Sequence, residues 1–181
     1  DTIGESKVTV CEARIKQLNP NCEVQGHQMF YLPETAEHFD FTDYDYVVDA
    51  VDTVSAKLDI IERCKSAEVP IISCMGCGNR IDPTKLAIMD ISKTSMDPLA
   101  KVIRKGLKDR RIKGVKVLCS TEEPIVPILP EGGEAESKGT AGRVAPGSTS
   151  FVPAAAGLAI ASEVVKDLTG FDSQKRTKGG R

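Results

Sequence analysis

The chain has 181 residues, 28% of them charged, with a formal net charge of −2, three Tyr, five Phe and no Trp. That length suits one domain with a mainly aliphatic core, and the near-neutral charge excludes a protein that coats nucleic acid with its whole surface, though not one with a local basic patch. No apolar run reaches the roughly 18 to 20 residues that a membrane-spanning helix needs, and six scattered Cys, several within apolar patterns, read as reduced thiols in a cytosolic compartment.

Residues 1–7 read as a polar loop carrying Gly4 and ending in Ser6-Lys7. The chain opens at Asp1 rather than at Met, which fits a fragment or a processed product. Val8, Cys11, Ile15 and Leu18 recur at three- and four-residue steps and predict an amphipathic helix. Asn19-Pro20-Asn21 stops it, because Pro cannot continue a helix and restricts the residue before it. Residues 23–27 are a candidate short strand. Leu32-Pro33-Glu34 starts a brief helix or turn, and residues 39–43 lead into the next strand.

Residues 45–53, Asp-Tyr-Val-Val-Asp-Ala-Val-Asp-Thr, are the stretch around which the rest is organised. The β-branched and aromatic residues predict a strand buried on both faces in the middle of a sheet. Val54, Leu58, Ile61 and Cys64 then take up helical spacing. Strand, short acidic loop and helix in that order put Asp49, Asp52 and Thr53 at the carboxyl end of a strand, where doubly wound folds bind ligands. Two readings stand side by side. Asp52 or Thr53 caps the helix, or the carboxylates hold a magnesium–nucleotide.

Residues 69–73 predict another short strand, with Pro70 at its start where no ladder donor is lost. It runs into Cys74-Met75-Gly76-Cys77-Gly78-Asn79, a small-residue loop that permits close approach. Cys74 and Cys77 form a CxxC. A structural zinc would need a second such pair, and Cys11, Cys22, Cys64, Cys119, His27 and His38 have no such spacing. A turn of small residues is the default; a redox or persulfide role is the sharper alternative.

Residues 81–84 read as a turn and 85–91 as a strand. Asp97-Pro98 opens a helix with Leu99, Val102, Ile103 and Leu107 on one face. Lys101, Arg104, Lys105, Lys108, Arg110, Arg111, Lys113 and Lys116 crowd one window in which Asp109 is the only acid. Either this is a solvated helix face or it is a footprint for a phosphate backbone. Residues 115–118 predict a further strand. Residues 131–150, rich in Gly, Ser, Glu and Pro, predict a mobile loop. Residues 151–168 form a last helix whose alanines allow close packing, closed by Gly170. A basic tail, 171–181, follows. The alternation of helices and strands predicts an α/β fold with a mostly parallel sheet and crossover helices.

Gly4-Glu5-Ser6-Lys7, followed by a helix ending in Leu18-Asn19-Pro20, resembles the GxxK…NP segment of the ubiquitin-activating-type adenylating enzymes, the ThiF/MoeB/HesA superfamily. Asp49-Ala50-Val51-Asp52-Thr53 stands where that superfamily has its DxxDN nucleotide motif. Residues 78–84, 90–94, 97–100 and 120–122, with the small-residue helix after Gly147-Ser148, are similar to its branch of tRNA threonylcarbamoyladenosine dehydratases. The similarity runs from residue 1 to about 168.

The resemblance implies a Rossmann-like sheet and ATP-dependent adenylation of the threonylcarbamoyl carboxylate on tRNA, with loss of AMP giving the cyclic base. It implies ATP and Mg²⁺, with Lys7 on the phosphates, Asp52 on the nucleotide and its Mg²⁺, and Thr53 in the position of the family's Asn. Asp49 would support the loop. Arg104, Lys105, Lys108, Arg110 and Arg111 become the tRNA contact, and loop 131–150 would order around substrate. A homodimer and a sulfur-relay protein are the implied protein partners. The family's Gly-rich nucleotide loop, ribose-binding acid and phosphate-reaching Arg precede the GxxK segment and are not in this sequence; Gly76-Cys77-Gly78 does not replace them. The chain therefore reads as a carboxyl-terminal portion of a single 1–170 domain, with weak or no ATP binding alone and an exposed or swapped sheet edge. Two alternatives remain open. One is an adenylyltransferase for a ubiquitin-like sulfur carrier, and the other a non-catalytic tRNA-binding or dimerisation module.

Overall fold

The computed structural model describes residues 2–126, 128, 137–138, 143–144 and 146–172. The expected loop over 131–150 lies largely outside the described residues, and of the expected tail only Phe171 and Asp172 are described. The chain divides into two compact units, Asp1–Phe39 and Asp40–Arg181.

In the first unit, α1 (Lys7–Leu18) forms as expected and ends where the Asn19 N–H donates to the Ile15 carbonyl. Its apolar stripe is not buried: Ile15 is 38% and Leu18 82% exposed. Residues 23–27 form no strand. The backbone at Gly26 instead lies so close to α1 that an added Cβ would come within 2.7 Å of a Val8 methyl. The segment thus packs back on its own helix, leaving no ladder to join. Further on, Phe39 gathers the rings of His27 and Tyr31, with centroids 5.1 and 5.9 Å away.

The second unit is an α/β sandwich. A single 3₁₀ turn, Phe41–Asp43, occupies the segment expected to lead into the strand at 45–53, because the Asp40 carboxylate accepts from both Thr42 N–H and its hydroxyl. The sheet then comprises β1 (Val47–Asp49), β2 (Ile71–Cys74), β3 (Leu86–Asp90) and β4 (Lys116–Ser120) in the order β1-β2-β4-β3. β1, β2 and β4 run parallel and β3 runs antiparallel to β4. Among the described residues β1 is therefore an end strand, not a middle one, and Val48 is 48% exposed. The expectation of burial on both faces fails there, although Asp49 at its tip is buried. A two-residue antiparallel pair, β5 (Ser137–Lys138) with β6 (Arg143–Val144), lies within the expected loop.

The two faces of the sheet follow from alternation along the strands. Ile72 and Leu118 pack against Ala156 and Ile160 of α4 (Phe151–Thr169). Ser73 and Val117 must then point to the opposite face, where α2 (Val54–Ser66) lies and buries Leu58, Ile61 and Cys64. α3 (Pro98–Asp109) packs on α2. Gly106 makes this approach possible, since a Cβ there would stand 2.7 Å from a Leu58 methyl. α3 buries Ala100, Ile103 and Leu107, while Val102, expected on the inner face, is 49% exposed. α4 ends where Gly170 adopts φ +61°, and no described helix is long and apolar enough to cross a membrane.

The ends of the long connection after β4 meet on one residue. Asn79, at φ +56°, donates its N–H to the Gly147 carbonyl at 2.8 Å and accepts the Gly147 N–H on Oδ1 at 2.7 Å. Its own carbonyl accepts from Ile125 N–H at 2.9 Å. Asn tolerates this left-handed backbone better than Ala does. Asn79→Ala is expected to cost about 1–2 kcal/mol and to speed amide exchange at Gly147 and Ile125 together. Unchanged exchange at both amides would contradict the clasp.

Candidate functional site

The turn between β1 and α2 is built from beneath. Asp49 closes β1 with its side chain 0% exposed. Its Oδ1 accepts from Val51 N–H at 3.0 Å, and its Oδ2 accepts from the Ser73 hydroxyl and from Lys57 Nζ, the latter at 2.9 Å. Lys57, 1% exposed, also donates to Ser73 Oγ at 3.3 Å and to the Cys74 carbonyl at 2.7 Å. Its three N–H groups thus tie α2 to the tips of β1 and β2, which are register neighbours at Asp49 and Ser73. This clamp fixes the backbone from which Asp52 projects. The sequence signals Asp49 but not Lys57, which there is one more Lys in a charged helix.

Asp52 is exposed on the turn, and Thr53 stands at the N-cap position of α2 without a capping hydrogen bond from its side chain. Capping is therefore not what Thr53 does here. Among the described residues no group of three or more His, Cys, Asp or Glu could hold a metal on its own. A single carboxylate ligand suits Mg²⁺ that takes its other oxygens from phosphates and water. Lys7 is exposed at the start of α1 and belongs to the first unit, whereas Asp52 and Thr53 belong to the second.

Next to this turn, β2 runs into the Cys74–Asn79 loop. Asp97, 5% exposed, holds the loop against α3: Oδ1 caps the helix at Ala100 N–H, 2.9 Å away, and Oδ2 accepts from Gly76 N–H at 3.1 Å. Glu122 receives the N–H groups of Ile81 and Asp82. These carboxylates hold the 75–82 segment, which has no helix or strand of its own.

The basic window separates into two kinds of side chain. Arg104 donates to the Thr94 carbonyl at 2.9 Å and to its hydroxyl. Arg110 pairs with Glu62 at 3.1 Å, and Lys116 with Glu163 and Asp167. Asp167 also receives the Tyr46 hydroxyl, and burial with these two carboxylates raises the phenol pKa. Lys101, Lys105, Lys108, Arg111 and Lys113 are exposed and form no ion pair among the described residues.

The model of the ThiF family matches residues 1–179. The tRNA threonylcarbamoyladenosine dehydratase of Bacillus subtilis (strain 168) is 44% identical over 181 residues, 98% of this chain and 71% of that protein. The dehydratase of the same name from Escherichia coli (strain K12) is 34% identical over 135 residues, 70% of this chain and 50% of that one. Among solved structures, that of the E. coli enzyme, TcdA, in complex with ATP superposes with a TM-score of 0.77 at 30% identity, covering 98% of this chain and 68% of that one. The sheet, its crossover helices and a family match over nearly the whole length agree: the chain belongs to the ThiF family.

Proposed function

We propose that this chain carries part of an ATP-dependent enzyme that adenylates the threonylcarbamoyl carboxylate on tRNA. One carboxylate oxygen attacks the α-phosphorus and pyrophosphate leaves. An intramolecular nucleophile of the threonylcarbamoyl group then displaces AMP, which carries away the oxygen lost in the dehydration and closes the ring. A carboxylate oxygen is a poor leaving group and AMP a good one, so the chemistry requires cations where two anions meet.

In this reading Lys7 neutralises phosphate charge. Asp52 meets the Mg²⁺ that ATP brings, and Thr53 offers a hydroxyl in place of a side-chain amide. Of the five basic residues expected to face tRNA, the exposed Lys105, Lys108 and Arg111 form the tRNA side, while Arg104 and Arg110 hold Thr94 and Glu62 behind them, in the cytoplasm and in a homodimer; a sulfur-relay protein is a further partner. The observation that carries the reading is an exposed Asp52 on a turn whose backbone is pinned by the buried Asp49–Lys57 pair. The ATP-bound relative supports it.

Calorimetric titration of the chain with Mg-ATP tests it. Weak but saturable binding is expected, reduced at least tenfold in Asp52→Ala with an unchanged circular dichroism spectrum. Binding indifferent to Asp52→Ala would remove that residue from the site. No binding at all would favour a non-catalytic tRNA-binding module. Release of AMP and pyrophosphate with a ubiquitin-like carrier, and not with modified tRNA, would favour the sulfur-carrier reading.

A further inference from the structure

The loop after β2 brings together groups that nucleotide chemistry does not use. Cys74 Sγ and Cys77 Sγ lie 3.8 Å apart, and both residues are partly exposed. A disulfide requires about 2.05 Å, so closure needs the sulfurs to approach by less than about 2 Å, within a loop carrying Gly76 and Gly78. One residue beyond lies Arg80, 3% exposed. Its Nη2 donates to the Met96 carbonyl at 3.0 Å, while its buried Nε and Nη1 have no hydrogen-bond partner among the described residues. A guanidinium so enclosed is costly without a counter-anion, and its charge acts on the thiols of Cys77 and Cys119.

We propose that Cys74 and Cys77 form a thiol–disulfide exchange site, with Cys77 the attacking sulfur, Cys74 the resolving sulfur, and small-molecule disulfides as the substrate class. The Cys77 thiolate attacks one sulfur of the disulfide RSSR, forming Cys77–S–SR and expelling RS⁻. The Cys74 thiol, on losing its proton, then attacks the Cys77 sulfur, forming the Cys74–Cys77 disulfide and releasing RSH. Two thiol sulfurs of the protein are oxidised and RSSR is reduced to two thiols; no other reactant enters.

The two sulfurs are unequal in the sense this order requires. Cys77 is drawn down, first by the hydrogen bond it shares with Cys74 and then by Arg80, against burial and the charges of Asp97 and Asp52. Cys74 is raised by that same hydrogen bond, by burial and by Asp49, with Lys57 opposing. A thiol ionising near the ambient pH is the best attacker. Cys64 and Cys119 are buried and pushed up to about 11 and about 12, so neither competes. The site stands on the thiol geometry and Arg80 and does not depend on the nucleotide reading.

The test uses the whole chain carrying Cys11→Ser and Cys22→Ser, which removes the two remaining accessible thiols, treated with oxidised glutathione without denaturant. Trypsin leaves Cys74 and Cys77 on one peptide, residues 66–80. Two results are expected: that peptide becomes lighter by two hydrogens, and Cys74→Ser instead accumulates a stable mixed disulfide on Cys77. Cys77→Ser should slow modification of Cys74 at least tenfold, and Arg80→Gln should move the pH midpoint of Cys77 alkylation upward. The proposal is overturned if Cys74→Ser and Cys77→Ser react at the same rate. It is equally overturned if the 66–80 peptide of the folded chain stays fully reduced.

Discussion

Lys57→Met is expected to destabilise the 40–181 unit by about 3–5 kcal/mol, the range for removing one partner of a buried ion pair. The side chain is 1% exposed and places its N–H groups on Asp49, Ser73 and the Cys74 carbonyl, beneath the protein surface. Met fills the volume but leaves the Asp49 carboxylate enclosed with, among the described residues, the Ser73 hydroxyl and the Val51 N–H as its donors. The loss is therefore chiefly that of a stranded charge and not of packing. The double variant Lys57→Met with Asp49→Asn separates the two causes. Asn keeps an acceptor for Val51 N–H and carries no charge, so the pair together should be clearly more stable than Lys57→Met alone. Urea denaturation followed by circular dichroism measures both. Equal losses would mean that the charge is not what matters there. Because Asp49 also holds Val51, the single variant should weaken Mg-ATP binding even at temperatures where it stays folded, if Asp52 serves the nucleotide.

The helices and most of the sheet were legible because they rest on local pattern. Val54 to Cys64 repeats at helical spacing, Asp97-Pro98 opens α3 with a carboxylate that does cap it, and Gly170 closes α4 in the left-handed conformation that its type favours. What was not legible depends on partners far along the chain. Residues 23–27 have strand-like composition, but a strand exists only where a neighbour offers a ladder, and Gly26 lies on α1 instead. Val48 has the side chain of a central strand, yet its strand stands at the end of the described sheet. Lys57 is the clearest case. Nothing at positions 53–61 tells that one Lys points inward, because its reason is a carboxylate eight residues back and a hydroxyl sixteen residues on. The Asp49–Thr53 motif was visible as a motif; the support that holds it was not.

The second large effect is expected in the ionic-strength dependence of tRNA binding. Sequence alone treats the eight cations between 101 and 116 alike. The structure sorts them. Arg104, Arg110 and Lys116 are engaged with Thr94, Glu62 and the end of α4, and their removal would disturb the fold before it disturbed a ligand. Lys101, Lys105 and Lys108 are exposed at positions i, i+4 and i+7 of α3, so they line one stripe. Each phosphate neutralised releases counterions, and the slope of log K against log salt falls by about 0.7–0.9 per contact. Replacing all three by Gln should therefore flatten that slope by about 2–3 and weaken binding about ten- to a hundredfold at low salt, with far less effect at high salt. Thermal stability should barely move, since exposed lysines without ion-pair partners contribute little to it. Arg104→Gln should do the reverse, lowering stability through the lost bonds to Thr94 while leaving the slope nearly intact. If the triple variant keeps the parent slope, α3 does not face the phosphate backbone, and its basic stripe is only a solvated surface. If the slope flattens and Arg104→Gln leaves it alone, the stripe and not the whole basic window is the tRNA-facing surface.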